Sequence, residues 1–140
     1  MPLPRLLPFL AVLTVAHAAP ERIGDRTDYV GTALRVASPT GLVTGSEAPG
    51  GRTLYGGYSA PAFHGDWETS VRAFDSRLRK VIEEDGCSLF GDSSILVATL
   101  PARIQLSARR GPSYVEIVVW LSPMPDERMS ITYVQNETGL

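Results

Sequence analysis

Cysteine, lysine and histidine are nearly missing from this chain: Cys87 is its only cysteine, Lys80 its only lysine, and His17 and His64 its only histidines. A single cysteine excludes a disulfide within the chain, so stability has to come from packing. So few soft ligands cannot supply the three or four His or Cys groups of a zinc site, and neither a metal nor a cofactor is expected. All the other basic residues are arginine, the formal net charge is −2, and no basic stripe runs along the sequence. Nucleic acid is therefore excluded as a partner. No phosphate-binding GxxxxGK[ST] loop, GxGxxG fingerprint or Ser-x-x-Lys pair occurs. The nearest approach to a serine-nucleophile elbow, Gly57-Tyr58-Ser59-Ala60-Pro61, ends in proline where glycine is needed.

Long apolar runs are also lacking. The longest, Leu6 to Val15, is about half the ~20 residues a spanning helix needs and is interrupted by Pro8. With Arg5 before it and Ala16-His17-Ala18 after it, the run reads as a secretory signal cleaved near Ala18. This makes the protein secreted or periplasmic, with residues 19–140 as one small domain and no membrane span in the mature chain. The loss of Arg5 moves the formal charge from −2 to −3.

What the chain does contain is one stretch with strong helical periodicity. From Asp66 to Gly86 the apolar residues Trp67, Val71, Phe74, Leu78, Val81 and Ile82 fall on one side of a 3.6-residue helix. Asp66 is placed to cap the amide of Thr69, and Gly86 to supply the left-handed residue after the last turn. The four apolar runs that follow read as strands: Ile95 to Leu100 as an inner strand, Arg103 to Arg109, Tyr114 to Leu121, and Met129 to Gln135. Ile104, Leu106 and Ala108 alternate with polar neighbours, and Val115, Ile117, Val119 and Leu121 share one face of the third run. CSLFGDSS, residues 87–94, reads as a turn-rich connection.

Residues 19–65 hold nine of the thirteen glycines, which argues against long helices there. Thr27 to Ala37 and Arg52 to Ser59 are a candidate N-terminal strand pair, with residues 38–51 as a surface loop between them. Short connections favour antiparallel neighbours. The expected fold is therefore α+β, one long amphipathic helix packed on an antiparallel sheet of about four C-terminal strands, with helix and meander spanning residues 66–135.

Two groups of residues are candidates for ligand or partner contact. Tyr114, Val118 and Trp120 share the strand face turned away from the helix, and aromatic anchors suit interfaces. Glu83, Glu84 and Asp85 gather in the last helical turn, where negative charge opposes the helix dipole. They could bind an oxygen-seeking cation, or simply form a solvated helix end with Arg79–Glu83 and Lys80–Glu84 pairs. No catalytic set emerges. His64 and Cys87 flank a helix about 30 Å long, too far apart for a nucleophile and its base. The expected function is a small exported binding, inhibitor or accessory protein that is not an enzyme, acting on an unknown protein or envelope partner as a monomer or weak homodimer. The alternatives are an exported hydrolase using carboxylates and His64, and a structural envelope component that self-associates through Trp120 or Cys87.

Overall fold

Alternation of apolar and polar residues dominates the chain, and in the computed structural model it builds one large antiparallel sheet. The structure describes residues 13–18, 22–23, 26–37, 39–63 and 65–139. The strands are β1 (Leu13–Ala18), β2 (Arg22–Ile23), β3 (Arg26–Thr27), β4 (Thr40–Ala48), β5 (Gly51–Pro61), β6 (Ser88–Leu96), β7 (Ala102–Arg110), β8 (Ser113–Met124) and β9 (Arg128–Thr138). Seven of them form a single sheet in the order β1-β4-β5-β9-β8-β7-β6, while β2 and β3 make a separate short ribbon. The helices are α1 (Tyr29–Leu34), continued by a 3-10 turn at Arg35–Ala37, and α2 (Trp67–Glu84).

This corrects the expected fold: the protein is mostly sheet, not one long helix laid on about four strands. The N-terminal half supplies three strands of the main sheet, and the two halves are joined by β5 and β9, paired in register from Gly51↔Thr138 to Pro61↔Arg128. Residues 38–51, expected to be a loop, contain β4, because Val43 points inward and is fully buried while Leu42 and Thr44 point outward. CSLFGDSS is likewise strand rather than connection, forming most of β6. Its pairing with β7 is interrupted by a bulge between Phe90 and Ser94. The run Ile95 to Leu100 is not an inner strand: β6 is the sheet edge and ends at Leu96, and Leu100 is 69% exposed.

Thr27 to Ala37 is not a strand either. Asp28 caps the segment by accepting from the Gly31 amide, and Tyr29, Val30, Ala33 and Leu34 are all buried. The strand preference of Tyr and Val is overridden by the cap and by burial on the helical face.

The second helix lies within the stretch marked by its caps. Asp66 Oδ1 accepts from the Thr69 amide at 2.8 Å, and Gly86 takes φ +89°, which a side chain rarely tolerates. Val71, Phe74, Leu78 and Ile82 are fully buried, and Trp67 and Val81 are partly buried against the same core. At about 25 cal/mol per Å² this stripe contributes on the order of 10 kcal/mol, offset by the ordering of the segment. The surface ion pairs run from acid to base, Glu68–Arg72 and Asp75–Arg79, so Arg79 pairs backward rather than with Glu83. That order agrees with the helix dipole.

Both helices cover the same face of the sheet. Helix α2 packs on α1, β6 and β7, and Arg77 Nε donates to the Ala33 carbonyl of α1 at 3.1 Å. Helix α1 is held over β5 and β9 by hydrogen bonds to Tyr58, Tyr133 and Gln135 through residues at its start. Every second residue is buried beneath the helices from Ala102 to Ala108 of β7, Val115 to Leu121 of β8 and Met129 to Gln135 of β9, and the residues between them face the other way. No described helix is long and apolar enough to cross a membrane.

Candidate functional site

The face of the sheet opposite the helices is the larger candidate surface. Register fixes its layout as rows running across the strands. One row reads Leu96, Arg103, Trp120, Thr132, Gly57, Leu42, and the next reads Ser94, Gln105, Val118, Val134, Tyr55, Thr44. Leu42 (53% exposed) and Tyr55 (46%) are open to solvent, and Val118, Trp120 and Val134 are half-buried. Gly57 leaves a notch in the middle of this apolar patch, since the outward position of β5 there carries no side chain.

The third row reads Phe90, Ser107, Glu116, Asn136, Thr53, Ser46. Its Phe90, Ser107, Glu116 and Asn136, with Tyr114 and Thr138, line a shallow concavity of about 360 Å³. Tyr114 and Phe90 meet edge to face with centroids 5.9 Å apart. The Arg109 guanidinium lies 4.9 Å from the Tyr114 ring centre, and its Nη2 donates to the Tyr114 hydroxyl at 2.8 Å. Guanidinium stacking of this kind holds the aromatic pair open on the sheet surface. Tyr114, Val118 and Trp120 thus share one face, but Tyr114 belongs to the polar end and the other two to the apolar centre.

The acidic last turn of α2 does not form a unit. Glu83 and Glu84 are exposed, whereas Asp85 turns in and accepts from Tyr29 Oη at 2.5 Å and from Arg110 Nη1 at 3.0 Å. The Asp85 carboxylate raises the Arg110 pKa, and burial followed by the Asp85 hydrogen bond raises that of Tyr29. Asp85 therefore fastens α2 to α1 and to the β7–β8 hairpin. Among the described residues no group of three or more His, Cys, Asp and Glu is placed to hold a metal. Cys87 is 4% exposed beside this contact, with Sγ 3.4 Å from Tyr29 Oη, and burial raises its pKa. An inert buried thiol is the result. His64 lies outside the described residues.

The most enclosed polar group escaped the sequence reading. Asp28 is fully buried and accepts from Tyr58 Oη at 2.6 Å, Tyr133 Oη at 2.7 Å and the Gly31 amide at 3.1 Å. Burial raises its pKa more strongly than these donors lower it, and burial followed by the nearby Asp28 charge pushes the Tyr58 and Tyr133 hydroxyls up. The two rings stack with centroids 6.1 Å apart. A side chain on Gly31 would meet Asp28 Oδ2 at 2.5 Å and Tyr58 Oη at 2.7 Å, so glycine is what lets the helix close over the carboxylate. Gln135 completes the network, accepting from the Tyr29 amide at 3.2 Å and donating to the Thr27 carbonyl at 2.8 Å. An Asp one residue before a buried apolar group was the only signal in the sequence, and its phenol partners are 30 and 105 residues away. The cluster is closed to solvent, which suits a lock between helix and sheet rather than a reacting group.

Comparison of the chain with protein-family models, with curated proteins and with solved structures finds no match to any of them.

Proposed function

We propose that the protein is a small exported binding module without catalytic activity, and that the helix-free face of its sheet receives a protein or envelope partner. One observation carries the reading: Leu42, Tyr55, Val118, Trp120 and Val134 form an apolar patch on the face that no described helix covers, flanked by the polar row through Glu116 and Asn136. An apolar centre beside a polar border is the anatomy of a recognition surface. The enclosure of Asp28 and the anchoring of Asp85 also favour binding over hydrolysis, because both carboxylates are already engaged by partners within the fold. Export is supported by the Arg5, apolar-run and Ala-x-Ala pattern of residues 1–18; positions 1–12 lie outside the described residues.

The test is crosslinking and capture from the native envelope fraction with the wild-type chain and with a Tyr55→Asp/Val118→Lys variant. A partner retained by the first and lost by the second, at unchanged melting temperature, supports the reading. Equal recovery by both removes the outer face from the function.

A further inference from the structure

Export processing near Ala18 would remove β1 from the sheet, because β1 is Leu13–Ala18 and pairs with β4 from Leu13↔Gly45 to Ala18↔Thr40. The strand left at that edge would be β4. From Thr40 to Ser46 it carries no charge and no proline, the two devices that most often guard an edge. The opposite edge is guarded: β6 is broken by its bulge between Phe90 and Ser94 and turns at Gly91, which has φ +73°. The two ends of the sheet therefore differ, and only the end uncovered by processing is a ready template for another strand.

We infer that the processed chain pairs with a second copy of itself through antiparallel β4–β4 contact, giving a two-fold dimer with one continuous sheet. This rests on the export reading above. The edge already accepts an antiparallel strand when residues 13–18 are present. A two-fold axis perpendicular to the sheet joins identical strands antiparallel and keeps each face on its own side, so the outward apolar patches of both copies become one surface. Centred on Val43, this pairing sets Val43 against its symmetry mate on the helix side, restoring apolar cover to a residue fully buried when β1 is present. On the outer side it sets Leu42 opposite Thr44 of the other copy. The two Glu47 carboxylates then lie eight residues apart along the ladder, roughly 27 Å at 3.4 Å per residue, and do not repel. No bond is made or broken beyond the backbone ladder and its side-chain contacts.

The experiment expresses the full chain with its own leader, recovers the exported form, and reads both intact mass and sedimentation-equilibrium mass. An intact mass lacking residues 1–18 supports processing, and a retained leader overturns the export reading together with this one. For processed protein, a sedimenting mass twice that of one chain is expected at tens of micromolar. Leu42→Lys/Thr44→Lys sets lysines opposite one another across the two-fold and should halve that mass, whereas Leu96→Lys at the far edge should leave it doubled. A processed wild-type chain that stays monomeric overturns the pairing while leaving the export reading intact. So does a Leu42→Lys/Thr44→Lys variant that dimerises as tightly as wild type. Circular dichroism of each variant confirms that the sheet is retained.

Discussion

Asp28→Ala should be among the most damaging single substitutions in this protein. It would strand two phenol hydroxyls in a buried site and remove the cap of α1, since Asp28 accepts from Tyr58, Tyr133 and the Gly31 amide. Leaving a buried donor unpaired costs about 1 to 3 kcal/mol, and losing a cap about 1 kcal/mol. The total is roughly 3 to 7 kcal/mol, a large part of the ~5 to 15 kcal/mol that holds a domain folded. Asp28→Asn is milder, about 1 to 2 kcal/mol, because one oxygen survives and the Tyr58 hydroxyl can rotate to accept from the new amide.

The pair also carries a signed pH dependence. Burial raises the Asp28 pKa above its ordinary 3.8, so the folded chain keeps a proton that the unfolded chain has already released. The wild-type advantage from this group is therefore complete below about pH 3.8 and is lost as pH rises through the higher folded value. The amide introduced by Asp28→Asn does not titrate, so the stability gap between wild type and this variant should narrow as pH climbs from about 4, by about 1.4 kcal/mol for each pH unit separating the unfolded and folded pKa values. Urea unfolding of both proteins at several pH values measures this directly, with the shared titrations of other groups cancelling. A gap that widens with pH would mean that the three donors outweigh burial, and the assignment of cause would be wrong. Asp28→Ala costing less than about 1 kcal/mol, the low end for a single stranded donor, would refute the lock altogether.

Two further outcomes follow from the same corner of the fold. Asp85→Asn should destabilise by about 1 to 2 kcal/mol through its contacts with Tyr29 and Arg110, whereas Glu83→Gln/Glu84→Gln should stay within about 0.5 kcal/mol of wild type, both read from denaturant midpoints. Cys87 should react with a thiol reagent at the rate of unfolding rather than at the rate of an exposed thiol, because it is enclosed and its pKa is raised by burial; immediate labelling of the native chain at about pH 8 would contradict this.

Local chemistry was enough to locate α2, β7 and the inward face of β8. Each carries its own periodicity and its own boundary residues: Asp66 and Gly86 around the helix, Pro101 before β7, and Gly111-Pro112 between the strands. Where periodicity was short or interrupted by glycine, the outcome depended on distant partners. Segment 40–48 is a strand because β5 lies beside it, and 29–34 is a helix because Gln135, Tyr58 and Tyr133 engage the residues at its start. Hydrogen bonds along a strand are made to another part of the chain, so strand existence is not a local property. For the candidate site, alternation alone put Tyr114, Val118 and Trp120 on one face, but joining Trp120 and Val118 to Leu42, Tyr55 and Val134 required the register of β4, β5, β8 and β9. The acidic turn of α2 divided for a similar reason: Glu83 and Glu84 stay in solvent, and Asp85 turns inward because Tyr29 and Arg110, far apart in sequence, converge on it.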